Sequence, residues 1–176
     1  MKFEWHDGNL YIAHPKLPSV YICIPGIPQE IKLKVGGHIT LRDARTKELL
    51  AQTNNIMVTT GLTVLAGGLC NELYLGWAAI GTSDTAPAVS DTKLGTEYHR
   101  EQITLSSYIA NIVTAQTFFL EANCTVHIKE VGIFGSDGTS AADSGSLFAH
   151  ALLDYDNTGS PKDLILSWAI TLSIGS

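Results

Sequence analysis

The clearest pattern in the chain lies toward its C-terminal end, where Leu164, Leu166, Trp168, Ile170, Leu172 and Ile174 alternate with Ile165, Ser167, Ala169, Thr171 and Ser173. A period of two held over this length predicts a strand, with large apolar side chains on one face and mainly small ones on the other. Such a strand lines the core of an antiparallel sheet or sandwich. Ser146–Leu153, Thr125–Phe134, Ile109–Leu120 and Glu97–Leu105 read as its neighbours, so strands dominate the C-terminal half. Within Thr125–Phe134 the apolar phase changes: Val126 and Ile128 occupy even positions, Val131 and Ile133 odd ones. A bulge near Lys129–Glu130 returns both pairs to the core.

The pattern switches between Asn54 and Glu72. Leu62, Leu65 and Leu69 recur at helical spacing behind Thr60, a candidate N-cap, and Gly67-Gly68 weakens the far end. This predicts a short helix near residues 60–71. Ahead of it, Ile39–Arg45, a turn at Thr46-Lys47 and Leu49–Thr53 form a predicted hairpin.

Residues 1–37 follow another rule. Pro15, Pro18, Pro25 and Pro28 are interleaved with apolar residues, and proline removes ladder donors while favouring extended backbone. Asp7-Gly8, between Phe3-Glu-Trp and Leu10-Tyr-Ile, predicts a small hairpin. The segment reads as a Pro-rich extended N-terminal arm, with residues 38–176 as the domain it precedes. Its apolar side chains need cover, either along its own domain or across a neighbouring subunit. In the second case Phe3, Trp5, Tyr11, Ile12, Leu17, Val20, Tyr21, Ile22, Ile24 and Ile27 are the candidate intersubunit contacts. The expected fold is mainly β: an antiparallel β-sandwich with one short α-helix and an extended N-terminal arm.

The stretch Ala79–Glu97, a strand running into a Thr/Ser/Asp/Ala/Pro loop, is answered by Lys129-Glu-Val-Gly-Ile-Phe-Gly135, a strand ending at glycine before a Gly/Ser-rich turn. Together with the preceding order of hairpin, Asn-Asn and helix, it resembles a family of tailed-bacteriophage structural proteins found among head decoration and tail-associated components. The resemblance runs from about His38 to the C-terminus. It implies a virion protein whose partners are the major capsid protein or tail proteins, and it implies a homo-oligomer, with a trimer expected.

Composition agrees with a life among other subunits. Charged residues make up 16% of the chain, against about 25% for ordinary globular proteins, so Ser, Thr, Asn and Gly must cover much of the surface. The net charge is −6 and no Lys/Arg cluster is present, which argues against nucleic acid as a partner. No stretch reaches the roughly 20 apolar residues of a membrane span, and the N-terminal residues lack the apolar run of a signal peptide. Cys23, Cys70 and Cys124 are widely spaced and odd in number, and read as buried thiols rather than a disulfide framework. Synthesis in the host bacterial cytoplasm and incorporation into a virion follow as the expected localisation.

Candidate chemistry is sparse. His6, His14, His38, His99, His127 and His150 are scattered singly, with no metal-ligand spacing. No Gly-x-Ser-x-Gly elbow accompanies the abundant serines. Asp84 and Asp91, and Asp137 and Asp143, sit in loops that lack the acidic ladder of a calcium-binding EF-hand, and read as turn formers. Asn123-Cys124-Thr125 fits a glycosylation sequon but has no secretory context. The expectation is therefore no catalytic residue, no metal and no cofactor: a non-enzymatic capsid decoration or cement protein. Two alternatives stay open. One is a tail or fibre-base component; the other is a glycan-binding module stacking sugars on Trp5, Trp77, Trp168, Tyr98 and Tyr108.

Overall fold

The computed structural model describes residues 3–6, 9–14, 17–24, 33–69 and 74–174. The chain divides into two compact units, Met1–Lys34 with Ser173–Ser176, and Val35–Leu172.

In the first unit, β1 (Phe3–His6), β2 (Asn9–His14) and β3 (Leu17–Ile24) form an antiparallel meander. His6 pairs with Asn9, and Ile12 stands opposite both Phe3 and Ile22; the predicted Asp7-Gly8 turn lies outside the described residues. Within the segment expected as an arm, β1, β2 and β3 hydrogen-bond to one another as a small sheet, and residues 25–32 lie outside the described residues. Of the candidate contacts, Phe3 and Trp5 fall on β1, Tyr11 and Ile12 on β2, and Leu17, Val20, Tyr21, Ile22 and Ile24 on β3. Ile27 lies outside the described residues.

The second unit is mainly antiparallel β, as expected. Its elements are β4 (Leu33–Asp43), β5 (Leu49–Met57), α1 (Thr59–Leu69), β6 (Leu75–Gly81), β7 (Glu97–Gln102), β8 (Leu105–Ile109), β9 (Ile112–Phe119), α2 (Glu121–Cys124), β10 (His127–Gly135), β11 (Leu147–Asp156) and β12 (Leu164–Ile174). The strand order is β7-β6-β10-β11-β5-β4-β12-β9-β8. All nine strands belong to one sheet, curled into a half-barrel that brings β6 and β7 against β9. Where two stacked sheets were expected, β5 joins both halves: it pairs with β4 along most of its length and with β11 through Ile56 and Met57.

The core fills the concave side. On β12, Leu164, Leu166, Trp168 and Ile170 are buried, as the alternation predicts, and Trp168 stands opposite the small Ala115 of β9. The predicted bulge is present on β10, where pairing with β11 shifts register between Ile128 and Glu130. It puts Ile128, Val131 and Ile133 in the core together. The predicted β4–β5 hairpin also forms, closed by Asp43 Oδ1, which accepts from the backbone N–H of Arg45 and Thr46, with Lys47 at φ 64°.

The helix starts one residue before the expected cap. Thr60 lies inside α1, and its hydroxyl donates to the Leu147 carbonyl at 2.6 Å, fastening the helix to β11. Gly61 makes that approach possible, because a Cβ there would stand 2.3 Å from the Phe148 carbonyl oxygen. A second helix, α2, was not expected. Two strand boundaries also differ. Glu97–Leu105 is broken at Ile103 and Thr104, whose N–H groups bond the Gly76 and Gln116 carbonyls and so transfer the chain from β6 to β9. Ile109–Leu120 is interrupted by a turn at Ala110 and Asn111, with Ala110 at φ 53°.

Candidate functional site

The bulge on β10 has a further effect: residues after it alternate so that Val131 and Ile133 face the main core while Glu130, Gly132 and Phe134 face the opposite side of the sheet. There Val58, Ala79, Leu94, Phe134 and Leu147 form a second apolar cluster, with Trp77 packed against it. Leu94 belongs to the long loop 82–96, which lies across this side. A Cβ on Gly132 would meet Leu94 Cδ2 at 2.8 Å, so the glycine gives the loop its seat.

Glu130 holds that loop. It is completely buried, and its carboxylate accepts from the backbone N–H of Ser83 (3.2 Å), Thr96 (2.7 Å) and Gly95 (2.9 Å). His150, on the neighbouring β11 and also buried, places Nε2 2.9 Å from Glu130 Oε2 and Nδ1 2.9 Å from Asp91 Oδ2. Asp91 Oδ2 in turn accepts from the Ala88 N–H at 2.8 Å. Both ring nitrogens face carboxylates, so the ring bonds to both only as the doubly protonated imidazolium. Burial pushes the Glu130 carboxyl pKa up, but the bonds from His150 and the loop N–H groups outweigh it and hold the value below the ordinary 4.5. For His150 burial acts downward, and the bonds to Glu130 and Asp91 raise the pKa above the ordinary 6.5.

A second clasp fixes the loop 136–146. Pairing of β6 with β7 shifts register between Ile80 and Gly81, which pair with His99 and Glu97. The extra residue, Tyr98, lets Glu97 and Arg100 reach each other from one side of the strand. Their side chains are 2% and 1% exposed and form a two-pronged ion pair, Nη2 to Oε2 at 2.6 Å with Nε on Oε1. Arg100 Nη1 donates to the Ser144 carbonyl at 2.7 Å, and the guanidinium lies 4.4 Å from the centre of the Phe134 ring. Glu97 Oε2 accepts from the Asp143 N–H, and Lys93 bridges the two loops through Asp143 at 2.9 Å.

These groups hold the two loops against the sheet. His150 resembles the middle of a catalytic triad, yet both its nitrogens are committed to carboxylates, and Ser83 contributes its backbone N–H to Glu130 rather than a hydroxyl to the ring. Among the described residues no group of three or more His, Cys, Asp or Glu side chains is placed to hold a metal. The loop aspartates act as turn and bridge residues: Asp137 accepts from the Ser146 N–H and hydroxyl, and Asp84 pairs with Lys129 at the surface. A hollow of about 520 Å3 near that pair is bordered by His127 and Asp154, which bond each other. Cys124 is a buried thiol whose pKa burial pushes up to about 11, which keeps it protonated and unreactive. Cys70 lies outside the described residues. Of the aromatics weighed for sugar stacking, Trp168 is in the core, and half-buried Trp77 donates Nε1 to the Gly138 carbonyl; Tyr98 and Tyr108 are exposed.

The sequence singled out Ala79–Glu97 and Lys129–Gly135 separately, and the structure brings them together: Gly81 pairs with Glu130, Ile80 with Val131 and Ala79 with Gly132. The roles of Glu130, His150, Glu97 and Arg100 were not legible beforehand. Comparison with protein-family models, with curated proteins and with solved structures finds no match to this chain.

The clasp sets a pH dependence. A raised His150 pKa adds stability that is complete below about pH 6.5 and is lost as pH rises through the higher folded value. A lowered Glu130 pKa adds stability present above about pH 4.5 and lost as pH falls through the folded value. Urea midpoints should therefore be highest between these limits and decline on the alkaline side, with a slope of at most about 1.4 kcal/mol per pH unit. His150→Gln should abolish the alkaline decline; the same decline in that variant would assign it to another group.

Proposed function

We propose that this protein is a non-enzymatic structural component of a tailed-phage virion, and within it a capsid decoration or cement protein that bridges neighbouring subunits of the major capsid protein. The observation that carries this reading is the clasp. Acid and base groups on the strands beside the two polar loops hold the loops in place, which suits a rigid contact surface better than a reactive cleft. The resemblance of Ala79–Glu97 and Lys129–Gly135 to phage structural proteins supplies the biological setting. The low charge and the exposed apolar side chains, among them Tyr108 and Ile109 at 79% and 80% exposure, fit a surface meant for other subunits. The candidate contacts of residues 1–37 extend the same role.

A cement protein binds the assembled shell better than its dissociated parts, so it stabilises the shell by linkage, about 2.7 kcal/mol per site when free protein is at 100 times its dissociation constant. Particles lacking this chain should release DNA at lower temperature or under milder osmotic shock, while keeping their tails and their ability to adsorb. Normal heads with defective tails would replace this reading with a tail component.

A further inference from the structure

We infer that a second copy of this chain docks edge to edge on β8, joining the two sheets through a strand-to-strand seam. This goes beyond the function proposed above and does not depend on it. The sheet ends in two strands, β7 and β8, and they are treated differently. On β7 stand Glu97, His99, Arg100 and Glu101; His99 packs edge-on against Phe119 and Glu101 accepts from the side-chain amide of Asn123. The sequence of β8 is Leu-Ser-Ser-Tyr-Ile, all five residues are exposed, and no further strand pairs with it among the described residues. Sheet edges left in water normally carry lysine, proline or a bulge that blocks pairing. This one carries none of them.

Both sides of the edge are apolar. Pairing with β9 sets Tyr108 opposite Val113, on the side of the main core, where it rims a groove of about 430 Å3 shared with Leu69 and Tyr74. Leu105 and Ile109 face the other way with Ile112. Leu69, Tyr74, Leu105, Tyr108, Ile109 and Ile112 are 86%, 71%, 55%, 79%, 80% and 41% exposed. Each side of the edge thus carries exposed apolar side chains, and a strand paired on β8 would cover part of both sets.

The uncharged, self-complementary register of β8 favours a copy of the same chain as the occupant. Two chains of net charge −6 repel, and they meet at least cost where neither presents charge. Antiparallel pairing of β8 with itself about a two-fold axis at Ser107 sets Leu105 opposite Ile109 and Ser106 opposite Tyr108, with no like charges facing each other.

Sedimentation equilibrium of the full chain at micromolar concentration tests this, with S107K, which would set two lysines face to face on the axis. Ser107 is exposed in the single chain, so its fold should survive, as circular dichroism would verify. The expected result is a reversible dimer that S107K weakens at least tenfold, and an S107C chain that crosslinks between the introduced thiols on oxidation. A monomeric wild type would overturn the inference. So would a dimer or trimer indifferent to S107K.

Discussion

Glu130→Ala should be the most damaging single change in the loop layer, costing about 3–5 kcal/mol, the usual penalty for removing one partner of a buried charged pair. The truncation removes the acceptor of three backbone N–H groups and leaves the His150 imidazolium with Asp91 alone. Amide exchange at Ser83, Gly95 and Thr96 should accelerate together, because one carboxylate protects all three. Glu130→Gln keeps the shape and one acceptor oxygen, so it should lose less. Urea unfolding of the alanine variant within about 0.5 kcal/mol of wild type would mean that the loop is held by the Leu94 cluster, with the clasp contributing little.

Trp168→Ala should cost a similar amount, about 3–5 kcal/mol, through the cavity it leaves between β9 and β12. Trp168 is 1% exposed, and its indole N–H has no hydrogen-bond partner among the described residues. Trp168→Phe should therefore be much milder, since it removes an unsatisfied buried donor along with some volume. Equal losses in the two variants, measured by urea titration, would show that the indole nitrogen contributes to stability in a way the packing does not explain.

These two residues mark how far the sequence could be read. Trp168 was legible because a period of two is a local signal, written within one strand and independent of what it packs against. The bulge at Lys129–Glu130 was legible for the same reason, as a break in the apolar phase. Its consequence was not. The N–H groups that Glu130 receives lie 34 to 47 residues away, and a backbone N–H has no side-chain signature. His150 was one of six scattered histidines until the fold set it beside Glu130.

Glu97 and Arg100 were hidden by another mechanism. Three apart on a regular strand they would face opposite ways; the bulge at Tyr98 brings them together, and it has no apolar phase change to announce it. The turn at Ala110 and Asn111 was missed because it uses Ala110 in left-handed backbone, where glycine or asparagine is the usual sign. The single curled sheet depends on β5 pairing on both sides, which alternation along one strand cannot express.

The central claim is that this chain is a fixed part of a virion shell, and imaging the whole particle tests it most directly. The account predicts density matching the curled sheet on the outside of the head, repeated at equivalent positions between neighbouring capsid subunits. Particles whose heads lack the chain, with its density confined to the tail or absent altogether, would contradict it.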